Sequence, residues 1–152
     1  MSNSKRSGVC TFSAISGHIL NQGKPVVNAK VIRTTDWKNK KTDEVITDGN
    51  GYFDMPAIYE SSLASVLPME FVVAQTIAVV VDGEPVDFWT GVKRKKDENS
   101  EGQGEAPVVS CELSNEAAVI TVDGQPFITK CKWNVVPDKL ISIEDMLKTD
   151  DD

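Results

Sequence analysis

Apolar and polar residues alternate from Val9 through Phe12 and Ile15 to Ile19 and Leu20, the period of two expected of a half-buried strand. Asn21-Gln22-Gly23-Lys24-Pro25 reads as a turn. A second strand is predicted over 26–34, with Val27, Ala29, Val31 and the methyl of Thr35 on one side. Residues 36–43 are a charged excursion around Trp37, and 44–47 return as a third strand. Asp48-Gly49-Asn50-Gly51 is a hairpin turn into Tyr52-Phe53-Asp54-Met55, which Pro56 stops. The stretch 61–67 fits either a helical turn or a loop. Residues 70–82 are β-branched almost throughout and predict a central strand.

After the turn at Gly83, residues 86–90 form the next strand, and 93–105 a polar loop. Strands over 108–113 and 118–122, a turn at Asp123-Gly124-Gln125-Pro126 and a strand over 127–133 complete the β pattern. Phe53, Phe71, Ile77, Val79, Val81, Trp89 and Val122 are the expected core, with Trp133 beside them. From Ser142 the pattern turns helix-compatible. Ser142 suits an N-cap, Glu144 and Asp145 suit the first turn, and Ile143, Met146 and Leu147 make an apolar stripe. About nine strands with turn signals every 8–12 residues describe an all-β antiparallel sandwich. The domain is set at 9–134, with a C-terminal extension at 135–152 that is expected either as a short helical arm docking its stripe on a sheet edge, a second copy of the chain or a basic partner, or as a disordered acidic tail.

Composition sharpens this only at the edges. The chain has 152 residues, 40% hydrophobic and 26% charged, enough for one domain with a real core. Its formal charge of -7 disfavours nonspecific binding to nucleic acid or anionic membrane and suits a basic partner. The longest apolar run, Ile77 to Val81, is strand-sized, so no membrane insertion is expected. No apolar stretch follows the basic start Met1 to Arg6, so no signal peptide is read and a cytoplasmic location is expected. A chain whose signal had been removed would look the same and would be periplasmic. Cys10, Cys111 and Cys131 are an odd, dispersed set, expected as reduced buried thiols. Cys111 and Cys131 sit on neighbouring predicted strands and could pair in an oxidising compartment.

The candidate chemistry is thin. His18 is the single histidine, so a histidine dyad or multi-histidine metal site is excluded, and an outward strand position is expected for it. Asp48 and Asn50 alternate near glycine but lack the remaining ligands of a calcium loop. No catalytic residue, cofactor or metal is expected. Two small basic tips stand out, Lys38, Lys40 and Lys41 beside Trp37, and Lys93-Arg94-Lys95-Lys96. Asp97, Glu98 and Glu101 follow the second directly and favour a solvated loop there. If both tips meet at one end, they form a basic, aromatic-bearing surface on an acidic protein. Trp37, in a polar loop, is read as its exposed anchor. Ile143, Met146 and Leu147 are the other candidate contact residues.

The block Gly17/Ile19, Gly23/Pro25/Val26/Ala29/Val31 and Thr47/Asp48/Gly51/Phe53 resembles the carboxypeptidase-regulatory-like, transthyretin-like β-sandwich group. Val9-Cys10-x-Phe12-Ser13-x-x-Ser16-Gly17, Ala74-Gln75-x-Ile77, Phe88-Trp89, Ser110-Cys111-Glu112-Leu113-Ser114 and Cys131-Lys132-Trp133 extend the likeness to a narrower bacterial family, largely of unknown function. Some of its members lie beside type VI secretion genes in Gram-negative bacteria, and some resemble immunity proteins against secreted effectors. The resemblance implies a non-enzymatic protein-binding module, an immunity or accessory protein of an effector or secretion component. It leaves homo-oligomerisation open. The competing reading is a small-molecule hydrolase, since some transthyretin-like proteins act on purine-derived substrates. Those sites need several histidines and a particular final tetrapeptide, against one histidine and Asp150-Asp151-Asp152 here. A structural or carrier domain without a fixed partner is the third reading.

Overall fold

The computed structural model describes residues 8–61, 70–142 and 145. Of these, 58% lie in strands and 3% are helical, so the protein is nearly all β. In chain order the strands are β1 (Val9–Phe12), β2 (Ile15–Asn21), β3 (Lys24–Pro25), β4 (Lys30–Asp36), β5 (Lys40–Ile46), β6 (Tyr52–Met55) and β7 (Ile58–Glu60). They continue as β8 (Val73–Val81), β9 (Glu84–Lys93), β10 (Val108–Glu112), β11 (Ala118–Val122), β12 (Gln125–Thr129), β13 (Cys131–Lys132) and β14 (Lys139–Ser142).

A seven-stranded sheet runs β14-β11-β12-β9-β8-β4-β5, all antiparallel. A five-stranded sheet runs β13-β10-β2-β3, with β6 also on β2, and β1 pairs with β7. Between them lies one core: Phe12, Ile15, Ile19, Phe53 and Met55 come from β1, β2 and β6, and Val31, Ile77, Val79, Phe88, Trp89 and Phe127 from the larger sheet. Phe53 meets Phe88 edge-on across the layers at 5.9 Å, and Trp89 is ringed by Phe12, Phe127 and Trp133 at 4.7–6.1 Å. Of the expected core, Val81 and Trp133 are only partly buried.

Two local features depart from the reading along the chain, and a third follows it. Residues 26–34 are not one strand: Asn28 takes φ 55°, and alternation restarts at Lys30. Val27 is therefore outside, while Val31, Arg33 and Thr35 face inward. β2 pairs with β10 in parallel, not antiparallel. Gly17 makes that approach possible, since a Cβ there would stand 1.9 Å from the Val109 carbonyl oxygen. The Asp48 turn forms as expected: its Oδ1 accepts the N–H groups of Asn50 and Tyr52 at 2.8 and 3.0 Å. Gly51 there has φ 75°, and its added Cβ would meet the Ile19 oxygen at 2.6 Å.

The helical arm expected from Ser142 is not seen among the described residues, which beyond Ser142 include only Asp145 of that stretch. Residues 139–142, for which the sequence pattern predicts no element, form the edge strand β14, in which Leu140 and Ile141 fall in register with Ile120 and Val119 of β11. Ser142 Oγ accepts the Asp145 N–H at 3.0 Å. Ile143, Glu144, Met146, Leu147 and the acidic residues beyond lie outside the described residues, as do positions 62–67 of the stretch read as turn or loop.

The cysteines correct the thiol expectation. Cys111 and Cys131 are directly opposed on β10 and β13, with Cα atoms 4.0 Å apart, and they form a disulfide. Strand pairing holds the two residues at bonding distance, so no further ordering is needed. Cys10 is free and buried, and desolvation pushes its thiol up to about 11, leaving it neutral and unreactive.

Next to the disulfide, Glu112 clamps two loops. Its carboxylate accepts the Ser114 hydroxyl and N–H at 2.6 and 3.0 Å and the N–H groups of Gln22 and Gly23 at 2.8 Å. These bonds, Ser114 first, hold its carboxyl down at about 2. The folded form thus binds its proton later than the unfolded chain, so the clamp's contribution is complete above the ordinary glutamate range and is lost as pH falls toward about 2. Two outcomes follow. Intact mass without reductant should fall about two daltons below that of the fully reduced chain, and equal masses would remove the disulfide. In urea melts, Glu112→Gln should be less stable than the parent at neutral pH, with the gap closing as pH falls to about 2. A gap that is constant with pH would rule out the carboxylate as the clamp.

Candidate functional site

A glutamate and a lysine with no exposed side-chain surface, Glu101 and Lys93, organise one end of the molecule. Lys93 is the last residue of β9, and Glu101 lies in a short 3-10 turn, Ser100–Gly102, inside the polar loop. The Lys93 ammonium donates to the carbonyls of Lys95 and Asp97 and to Ser100 Oγ at 2.5–2.7 Å, which uses all three of its protons. Glu101 Oε1 stands 3.7 Å from it and supplies the countercharge.

The carboxylate is satisfied from the other side. Ser13, just after β1, donates to it through its hydroxyl at 2.5 Å and its N–H at 3.0 Å. Gln75 of β8 donates at 2.9 Å, and the Gln75 oxygen in turn accepts the Trp89 indole N–H at 3.1 Å. Ser13 Oγ also accepts the Asn99 N–H at 2.6 Å, and the Trp133 indole bonds the Glu101 carbonyl at 2.9 Å. From β12, Gln125 accepts the N–H groups of Arg94 and Lys95 at 2.9 and 3.1 Å and donates to the Ser100 carbonyl. A loop that reads as solvated is thereby fastened to three strands by buried, satisfied polar groups.

This network corrects one candidate contact residue. Lys93 is internal and unavailable to a partner, because its side chain folds back beneath its own loop. Arg94, Lys95 and Lys96 remain exposed. The hairpin carrying the other basic tip is also anchored. Arg33 of β4, buried, donates to Asp43 of β5 through Nε at 3.0 Å and Nη2 at 2.6 Å, and its guanidinium lies 4.9 Å over the Phe12 ring.

Sheet register places the two tips. Asp36 ends β4 opposite Ala74 of β8, and Ala74 lies opposite Val92 of β9. β4 and β9 therefore end in one row, about 10 Å apart at the usual strand spacing, and both chains leave the sheet there. The Lys96 carbonyl accepts the Cys10 N–H at 3.0 Å, and next to Cys10, Val9 packs with Phe71, Val73 and Trp37. Trp37 is half-buried: its ring meets Phe71 edge-on at 5.0 Å, and its N–H reaches the Glu70 carbonyl. It is a seated platform more than a free anchor. Lys38 lies 5.4 Å over its ring, Lys40 is exposed, and Lys41 pairs with the buried Glu60 at 3.4 Å. Asp36, Glu70 and Asp97 border the surface. Ile143, Met146 and Leu147, the remaining candidates, lie outside the described residues. His18 is exposed beside Tyr52, as its strand position implied.

Residues 15–116 match the family model of a domain of unknown function, DUF6795. The chain belongs to this family. The matched segment includes Gln75, Lys93, Glu101, Cys111 and Glu112, and ends before Cys131 and the strands β11–β14. No curated protein and no solved structure matches the chain.

Sequence reasoning missed Ser13, Gln75, Glu101 and Gln125 as a connected set. Gln75 was the readable signal: an amide inside a β-branched strand must find partners once buried. Removing one member of a buried ion pair leaves the other uncompensated, so Lys93→Met and Glu101→Gln should each cost about 3–5 kcal/mol in chemical denaturation. The double variant Lys93→Met/Glu101→Leu should recover part of that loss. A single-variant cost below about 1 kcal/mol would mean that the loop does not depend on the pair.

Proposed function

We propose that this protein is a non-enzymatic protein-binding module of the transthyretin-like, carboxypeptidase-regulatory type, and that it engages an acidic patch on its partner through the loop end of the larger sheet. The observation that carries the reading is the shared row at which β4 and β9 end. It gathers Trp37, Lys38 and Lys40 with Arg94, Lys95 and Lys96 on a protein whose overall charge is -7. Both tips are held from beneath, one by Arg33–Asp43 and the other by Lys93–Glu101 and Gln125. A surface fixed before encounter loses less entropy on binding. The partner proposed is a secreted effector or a secretion component, in keeping with the immunity-like families that the sequence resembles. Among the described residues no helix is long and apolar enough to cross a membrane. The Cys111–Cys131 disulfide favours the periplasmic alternative over a reducing cytoplasm.

The test is binding to any secreted effector or secretion component encoded beside the gene, followed by surface plasmon resonance and titration calorimetry. Changing Lys38, Lys40, Lys95 and Lys96 together to glutamate should weaken the complex at least about tenfold, mostly through slower association, with thermal stability unchanged. Undiminished binding by that variant would remove the proposed surface. Turnover of a small molecule by the parent protein would remove the proposed class.

A further inference from the structure

At the β14 edge of the larger sheet, an apolar groove of about 280 Å³ opens between the edge strands β13 and β14. Its walls are Ala118, Ile120, Trp133, Val135, Pro137 and Leu140, and Cys131 of the disulfide lines it as well. Leu140 lies opposite Ile120 in register and shares its face, yet Leu140 is 61% exposed while Ile120 is 8% exposed. The larger sheet reaches past the smaller one here, and among the described residues nothing covers the overhang. Lys130 and Lys132 stand along the same groove.

We infer that residues 143–152 of this same chain are the cover, seating Ile143, Met146 and Leu147 in the groove. The attachment point argues for it. Ser142, the last residue of β14, pairs with Ala118, a groove residue, so the next part of the chain starts at the groove's own rim. The Asp145 N–H bonds back to Ser142 Oγ at 3.0 Å, which turns the chain away from the strand direction immediately. Ile143, Met146 and Leu147 come within the next five positions, a span of at most about 18 Å when fully extended, so the stripe cannot stray far from the groove. Charge points the same way: residues 144–152 hold five acids and one lysine, against Lys130 and Lys132, with the single acid Glu116, on the groove. Tethering then gives the segment a local concentration that a free competitor of similar chemistry would not reach. The groove is therefore a self-occupied surface, separate from the basic loop end. A partner that used it would first have to displace the segment.

Zero-length carbodiimide coupling of the full chain tests this, because it joins an amine to a carboxylate only when the two touch. Equal amounts of unlabelled and nitrogen-15-labelled protein are mixed before coupling, and the monomer and dimer bands are digested separately. The expected result is bonds from Lys130 or Lys132 to acids within 144–152, in the monomer band and within one isotope. In the full-length Met146→Glu/Leu147→Glu variant these bonds should fall several-fold, and binding of an apolar dye such as anilinonaphthalene sulfonate should rise several-fold. Far-ultraviolet dichroism confirms that the variant has kept its β content. Absence of such bonds in the parent protein overturns the inference. Bonds found only between isotopes, in the dimer band, also overturn it, since a second copy would then be the occupant. A folded variant with unchanged coupling and dye binding would show that the stripe is not what fills the groove.

Discussion

The buried pair of Lys93 and Glu101 is the constraint on which the functional end of this protein depends. A charge without solvent must be met on every side. Here the lysine takes three acceptors from its own loop, and the glutamate takes donors from Ser13 and Gln75. The two halves meet only when β1, β8, β9 and the loop are all in place. The pair thus ties a polar segment, with few apolar contacts of its own, to the core through Gln75 and Trp89. It also decides which charges face outward: Lys93 is withdrawn, and Arg94 to Lys96 are left at the surface.

The smaller sheet is held by a different set of bonds. Gly17 lets β2 and β10 run side by side in parallel, the disulfide fixes β13 to β10, and Glu112 closes the turn after β2 against the end of β10. These three devices share one strand, β10, which runs through the Ser110-Cys111-Glu112-Leu113-Ser114 stretch. Cys111 makes a covalent link, Glu112 an ionic clamp, Leu113 is buried, and Ser114 donates to the clamp. The residues that carry the resemblance to other domains are thus chiefly the ones that build the sheet, which is why they speak to architecture and say little about a partner.

The two surfaces lie apart on the larger sheet, one where β4 and β9 end and the other at its β14 edge, and they differ in character. One is basic, shallow and held rigid from below. The other is an apolar overhang left where a wide sheet meets a narrower one. The first follows from two strands that end in one row, the second from an edge strand, β14, whose Leu140 is left exposed.

Much of the fold was legible because strand formation rests on local alternation and turn chemistry. The Asp48 turn, the apolar run of β8 and the buried Phe53, Phe71, Trp89 and Val122 were all readable from spacing alone. Alternation misled where one residue reset the phase, as Asn28 does before β4, and a pair as short as Leu140-Ile141 gave no strand signal of its own. At the candidate site, the basic residues and Trp37 were visible, but their neighbourhood was not. That the tips of β4 and β9 share a row and that Cys131 faces Cys111 are matters of long-range register, and that Lys93 turns inward depends on a loop fastened to distant strands. Sequence by itself determined an acidic, all-β chain with strands of known phase and two basic tips. The tertiary structure alone decided which charges are buried, because Lys93 is enclosed by its own loop only once Glu101 of that loop is held by Ser13 and Gln75, which lie 88 and 26 residues from Glu101 along the chain.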